Sequence, residues 1–181
     1  QLQRRPEDLS LPVPSGAVSG TATLNLRAAT AADRDAYFAL FEEVQALHVA
    51  ARPDLFRPAH NDEAFAAHFA DAIAQPHKQI VLAWLGEEAV GAIHWESTRL
   101  DASDLYLIDR PILWIESLVV RAGLRRKGIA RALVDLARSV AAERGIEDIA
   151  LEVWAFNEDA ARAFEALGLT PHARTMLGKT R

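Results

Sequence analysis

The sequence of 181 residues contains no cysteine. Disulfides, thiolate nucleophiles and cysteine-ligated zinc sites are therefore excluded. No apolar run is long enough to cross a bilayer, and the first twenty residues lack the continuous hydrophobic segment of a signal peptide. These absences predict a cytoplasmic protein that has no membrane partner.

The sequence also has fewer positive than negative residues: it contains 20 Lys and Arg and 25 Asp and Glu, for a formal net charge of -5. A chain of this sign is not expected to coat nucleic acid, and it slightly favours a cationic small substrate. Half of the residues are apolar, which suits one compact domain. We expect residues 21–181 to form it, with a homodimer left open. Residues 1–20, rich in proline and glycine, are interpreted as an arm or a cloning remnant.

Several catalytic signatures are missing. The sequence has neither GxxxxGK[ST] nor a GxGxxG after a strand, which disfavours nucleotide triphosphatases and Rossmann dehydrogenases. It has no GxSxG motif for a serine hydrolase. Its six histidines form no HxH or HxxxH pair, so we expect no metal site, and His94 is expected to be a packed or edge residue.

Hydrophobic periodicity predicts a mixed α/β domain with a central sheet flanked by helices, in the order β-α-α-β-β-β-α-β-α-β. The predicted strands are 21–28, 79–85, 89–95, 111–120, 146–154 and 171–177. The predicted helices begin near Thr30, Asn61, Gly128 and Asn157. A polar loop is expected at 101–110.

The stretch RRKGIARAL, from Arg125 to Leu133, concentrates cations where a predicted helix begins. The first amides of a helix lack internal acceptors and carry the positive end of its dipole, so this position favours an anion. Gly128 allows a phosphate to approach the backbone. The stretch therefore predicts a pyrophosphate site to which Arg121 and Arg131 add charge. A solvated charged face remains the ordinary alternative.

Two motifs resemble those of the GNAT superfamily of N-acetyltransferases, over residues 21–181. The acetyl-CoA motif [RQ]xxGx[GA], preceded by a valine five residues earlier, is matched by Val120, Arg125, Gly128 and Ala130. The second motif, NxxAxxxYxxxG, is matched by Asn157, Ala160, Phe164 and Gly168. Ala122 and Arg126 depart from the Pro and Gly usual in the family, and Phe164 replaces a tyrosine that protonates the departing thiolate in many members.

The resemblance implies that acetyl-CoA is the co-substrate and lies where the fourth and fifth strands separate. The coenzyme-binding residues that it implies are Leu118, Val119, Val120, Arg125, Arg126, Lys127, Gly128, Ile129, Ala130, Asn157 and Phe164. The pyrophosphate is expected on the amides of 126–130 and the pantetheine along 118–120. Asn157 is equally well explained as a helix cap. With Phe164 in place of tyrosine, water or the attacking ammonium is left to protonate the thiolate.

An acceptor amine attacks only as the neutral base, and a free alkylamine has a pKa of about ten, so a general base is needed. Glu116 is the only carboxylate in the strand 111–120, and the resemblance implies this role for it. Strict alternation places Glu116 on the same face as Leu118 and Val120. The alternative is an ion pair with a cation such as Arg121.

These observations predict an enzyme that transfers acetyl from acetyl-CoA to a primary amine, on a small acceptor, directly within a ternary complex. Two alternatives stay open. One is a catalytically inactive GNAT-like module that senses acyl-CoA, which the missing tyrosine favours. The other is a nucleic-acid-binding domain that uses the basic stretch, with an affinity that falls as salt rises.

Overall fold

The computed structural model describes residues 23–99, 108–173, 175–178 and 180. The chain divides into two compact units, Gln1–Leu151 and Glu152–Arg181. The predicted arm 1–20 and most of the predicted loop 101–110 lie outside the described residues. Within the described ranges, no helix is both long and apolar enough to cross a membrane.

The described residues of the first unit form a five-stranded sheet and three α-helices. Its strands are β1 (Leu24–Ala28), β2 (Lys78–Leu85), β3 (Glu88–Arg99), β4 (Pro111–Val120) and β5 (Asp148–Leu151), and its helices are α1 (Arg34–Ala51), α2 (Glu63–Ala74) and α3 (Ile129–Glu143). The strands are ordered β1-β2-β3-β4-β5 in the sheet. The first three pairings are antiparallel and the last is parallel. The predicted α/β class, with a mixed sheet flanked by helices, is confirmed.

Local side chains set the helix starts. Asp33 is buried before α1, where both of its oxygens accept from Arg27 at 2.7 Å. The Asp62 side chain caps α2 by accepting from the amide of Phe65 at 3.0 Å. The cap is therefore one residue beyond the predicted Asn61, because the aspartate oxygen is the one that reaches an unpaired amide of the first turn.

In the second unit, the described residues form one helix, α4 (Glu158–Ala166). The prediction of a last strand at 171–177 is wrong, because the described residues of this stretch form no regular secondary structure. Pro171 has no amide to donate to a ladder. Met176 and Leu177 are 88% and 75% exposed, so burial does not favour a strand here either.

Helices cover both faces of the sheet in the first unit. α3 packs on one face over a core that includes Val90, Ile93, Trp95, Leu113, Ile115, Val120, Ile129 and Leu133. α1 and α2 pack on the opposite face with Tyr37, Leu40, Phe69, Ile80, Leu82, Ala92 and Val119. Gly91 brings α3 close to β3, because a Cβ there would lie 3.0 Å from both Ile129 Cγ2 and Val119 O.

Candidate functional site

β4 keeps one open edge over its second half. Its parallel ladder with β5 runs only from Ile112 to Ile115, so no residue of β5 pairs with 116–120. The hydrogen bond from Arg121 N to Val90 O, at 3.0 Å, shows which amides at this end of β4 donate to β3. Alternation then directs the amides of Leu118 and Val120 away from β3. A ligand with an amide or carbonyl can pair with this edge.

A β-bulge lies at Glu116. Ser117 pairs with His94 and Ile115 pairs with Trp95, which leaves Glu116 as one extra residue in β4. A bulge shifts the alternation of side chains by one position. The prediction that Glu116 shares a face with Leu118 and Val120 is therefore wrong.

Glu116 belongs to the side of the sheet covered by α1 and α2. Partial burial and the nearby Glu96 raise the pKa of Glu116, while His68 and Lys78 oppose that rise. In the described part of the chain, Glu116 forms no hydrogen bond or ion pair. A carboxylate without a fixed partner is free to accept a proton from a bound ammonium.

His94 lies directly opposite Ser117 on the central strand, so it is a packed residue and not an edge residue. It is 3% exposed, and its ring centroid is 5.8 Å from that of His68 on α2. Its Nε2 has no hydrogen-bond partner among the described residues. Burial, with smaller contributions from His68 and Lys78, lowers the pKa of His94 to about 4, so the imidazole is neutral at pH 7.

The buried imidazole should make stability depend on pH. An unfolded histidine binds a proton near pH 6.5, but folded His94 does not until about pH 4, so acid favours unfolding between these values. We expect His94→Met to raise the free energy of unfolding by about 2 kcal/mol at pH 5. At pH 8 the change should be small. Urea unfolding at both pH values tests this, and an equal effect at pH 5 and 8 would contradict it.

The basic loop turns into α3 through two residues with positive φ. Arg126 has φ 62° and Gly128, the N-cap of α3, has φ 84°. The amides of Gly128, Ile129 and Ala130 donate to no acceptor among the described residues. A Cβ built at Gly128 would have no atom within 4 Å. The start of α3 is thus an open turn with unpaired donors, as an anion site requires.

The cations of the loop have different roles. Arg126, Lys127 and Arg131 are exposed around the turn. Arg125 Nε lies 3.3 Å from Val120 O, so Arg125 ties the loop to β4. The expectation of Arg121 as a phosphate-binding cation is not supported, since its Nε donates to Ala89 O at 2.9 Å. Its guanidinium also lies within ion-pair distance of Glu43 and Glu88, so its charge is already balanced.

Asn157 and Phe164 belong to the second unit. The Asn157 side chain accepts from Ala160 N at 3.3 Å and caps α4, which is the structural role expected for it. Phe164 is half-buried on α4. Their predicted contacts with a coenzyme stay predictions. No group of three metal-ligating side chains occurs in the part of the chain that the structure describes.

Among the site residues, the first unit brings together Glu116, Leu118–Val120 and Arg125–Ala130 along one strand and the turn that follows it. Sequence analysis did not identify three residues that belong to this site. Ser117 lies within β4, and His94 of β3 pairs with it. Glu43 of α1 accepts a hydrogen bond from the amide of Ala122, just after β4. The spacing of apolar residues in β4 contained a signal for Ser117, because the alternation breaks there. No local pattern distinguishes Glu43 from other helix-surface acids.

The comparisons with known proteins bear on the fold and the family of the chain. Among solved structures, a tetramutant of a Bacillus halodurans protein is 24% identical, with a TM-score of 0.78, and covers 86% of this chain and 99% of its own. The aminoglycoside N-acetyltransferase AAC(6')-Iy in complex with CoA is 16% identical, with a TM-score of 0.72 and coverages of 91% and 99%. At such identities the likeness establishes the fold.

An aminoglycoside acetyltransferase from an uncultured soil metagenomic sample, in complex with sisomicin, is 16% identical, with a TM-score of 0.63 and coverages of 87% and 95%. No curated protein sequence matches the chain. The model of the Acetyltransferase (GNAT) family matches residues 41–169, which is more than half of the chain. The chain therefore belongs to the GNAT family of acetyltransferases.

Proposed function

We propose that the protein is an acetyl-CoA-dependent N-acetyltransferase that transfers the acetyl group directly to a primary amine of a small cationic acceptor. One observation carries the proposal. The open edge of β4 joins a carboxylate without a fixed partner, Glu116, to a turn with unpaired amides at Gly128–Ala130. The strand between Glu116 and Val120 is about 13 Å long at the usual rise per residue.

The residues of the turn and the edge fit the chemistry of coenzyme A. The amides of Gly128, Ile129 and Ala130 would hold the pyrophosphate at the start of α3, and Arg126 and Lys127 would add charge. The backbone of Leu118–Val120 would pair with the amides of the pantetheine arm. AAC(6')-Iy, which has the same fold, has been crystallised with CoA and with a bisubstrate analogue.

Glu116 supplies the general base. It takes one proton from the bound ammonium, directly or through water, and leaves a neutral amine. The amine nitrogen then forms a bond to the acetyl carbon, the carbon–sulfur bond breaks, and the sulfur leaves with the electron pair. The outward amide of Leu118 or Val120 is a fixed donor for the thioester carbonyl. The remaining excess proton of the new amide passes to the thiolate, so Phe164 need not donate one.

A cationic acceptor suits the charges around Glu116. Glu96 adds a second carboxylate, and the chain as a whole is acidic. The charge of Lys78 is largely engaged by Asp71, whose oxygen lies 2.7 Å from its Nζ. Two of the related structures are aminoglycoside acetyltransferases, which supports a polycationic amine as a first candidate.

Release of free coenzyme A from acetyl-CoA, measured with a thiol-reactive dye, tests the proposal. Because the chain has no cysteine, the thiol signal reports the coenzyme alone. Sisomicin, a polyamine and a lysine peptide form the acceptor panel, with mass spectrometry to identify the product. Binding of acetyl-CoA without turnover on any amine would favour the sensor function. Salt-sensitive binding of DNA or RNA that acetyl-CoA does not displace would favour the nucleic-acid function.

A further inference from the structure

We propose that α1 positions both ends of the open edge of β4, through two residues with separate effects. Tyr37 acts through Ser117 on the bulge that contains Glu116. Glu43 acts through the amide of Ala122 on the entrance to the phosphate-binding turn. The proposal rests on the proposed function, and it adds two positioning residues that touch neither substrate.

The first contact lies beside the bulge. The hydroxyl of Tyr37 shares a hydrogen bond of 3.3 Å with Ser117 Oγ. Tyr37 is only 2% exposed, and its ring packs against Phe65 and Phe69 of α2 at centroid distances of 6.1 and 5.5 Å. Because the ring is held on several sides, this bond fixes Ser117 and the peptide that joins it to Glu116.

Tyr37 is suited to a hydrogen-bonding role rather than to a charged one. Burial raises the pKa of Tyr37, the bond to Ser117 opposes that rise, and the charge of Glu116 adds to it. The phenol therefore stays neutral at the pH values where the enzyme would work.

The second contact lies at the end of β4. Glu43 Oε1 accepts a hydrogen bond of 2.6 Å from the amide of Ala122, and its Oε2 lies 4.0 Å from Arg121 Nη1. Ala122 is the first residue of the 3-10 turn Ala122–Leu124, which leads into the basic loop. Glu43 thus shares with Glu88 the charge of Arg121, and it holds the point where the chain leaves the sheet.

The two contacts flank the segment 118–120, which the pantetheine arm would occupy. Tyr37 and Glu43 are six residues apart on the same helix, and their partners are five residues apart along the chain. A shift of α1 would therefore disturb both halves of the site, while loss of one side chain should disturb only its own half.

Tyr37→Phe removes only the hydroxyl. We expect kcat to fall roughly tenfold and the Kd of acetyl-CoA, from calorimetry, to change less than twofold. The acid limb of the pH–rate profile should move to lower pH as Glu116 becomes more solvated. The charged or titratable groups that surround Glu116 and stay in place are His68, Lys78, Glu96 and, behind them, Asp71 and His94. Ser117→Ala should reproduce these changes. The variant that combines Tyr37→Phe with Ser117→Ala should have a kcat no lower than either single variant.

Glu43→Ala should affect acetyl-CoA binding and leave catalysis unchanged, which is the reverse of Tyr37→Phe. We expect the Kd of acetyl-CoA to rise roughly tenfold, while kcat at saturating acetyl-CoA and the acid limb stay unchanged. Glu43→Gln keeps an oxygen acceptor for the amide of Ala122 and should restore most of the affinity. Glu42→Ala is the matched control, because Glu42 is an exposed neighbour on α1 with no ion pair among the described residues, and it should leave Kd unchanged.

The proposal is overturned if Tyr37→Phe leaves both kcat and the acid limb unchanged, or if Glu43→Ala and Glu42→Ala bind acetyl-CoA equally well. It is also overturned if kcat and Kd change together in both variants, in proportion to the loss of thermal stability. Failure of the proposed function is distinguishable, since the unmodified protein would then release no coenzyme A with any amine, while the effect of Glu43→Ala on acetyl-CoA binding remained.

Discussion

Glu116→Gln is expected to lower kcat by about a hundredfold or more at pH 7, because glutamine keeps the size of the side chain but cannot accept a proton. Acetyl-CoA affinity should be unchanged. Since Glu116 forms no ion pair in the described part of the chain, the free energy of unfolding should change little. The measurement is steady-state release of coenzyme A with the best acceptor of the panel.

The pH dependence separates this role from a general electrostatic one. The variant needs acceptor that is already neutral, so its rate should rise about tenfold per pH unit below the pKa of the amine. Its deficit should therefore shrink as pH rises. Glu96→Gln is the matched control, because Glu96 raises the pKa of Glu116 from nearby. Its removal should shift the acid limb to lower pH with a much smaller loss of kcat. A constant deficit of Glu116→Gln from pH 7 to 9 would contradict the base assignment.

Gly128→Val is expected to weaken acetyl-CoA binding by about a hundredfold. A β-branched residue is strained at a φ of 84°, so the turn must change shape, and two or three charge-assisted bonds to the pyrophosphate lose their alignment. Isothermal titration calorimetry with acetyl-CoA and with coenzyme A measures the loss. The catalytic carboxylate is untouched, so kcat at saturation should recover.

Gly123→Val is the control within the same loop. Gly123 does not have a positive φ, and a Cβ there would have no atom within 4 Å, so the change should leave binding within threefold. Arg126→Gly keeps the backbone free to adopt its φ of 62° and removes one exposed cation. Arg126→Gly should raise the Kd of acetyl-CoA less than tenfold, and the increase should be smaller still at high salt. Equal losses for Gly128→Val and Gly123→Val would remove the turn from the binding site.

Much of the fold follows from local patterns. The helices α1, α2, α3 and α4 occur where apolar residues recur at helical spacing, and five of the six predicted strands overlap observed ones. The strand predicted at 171–177 is absent from the described residues. The stretch has only a weak strand propensity beside Pro171, and its apolar side chains are not buried. The start of α3 at Gly128 was also predictable, since only glycine adopts its positive φ without strain.

The site was less predictable in its details. In β4, Leu113 and Ile115 share a face with Leu118 and Val120, and the three-residue step between the pairs is the signature of a bulge that strict alternation overlooks. The role of Arg121 depends on Glu43, which is 78 residues earlier in the chain, and no local pattern specifies that contact. Long-range pairing of this kind arises only when the helix packs on the sheet.

The short ladder between β4 and β5 has a consequence for amide hydrogen exchange. In the protein without coenzyme, the outward amides of Leu118 and Val120 face no strand among the described residues, whereas the amide of Val119 points into the ladder with β3. Deuterium should therefore enter at 118 and 120 much faster than at 119, and acetyl-CoA should abolish the difference. Exchange measured by NMR, residue by residue, would show this alternation, and uniform protection across the three amides would mean that the edge is not open to solvent.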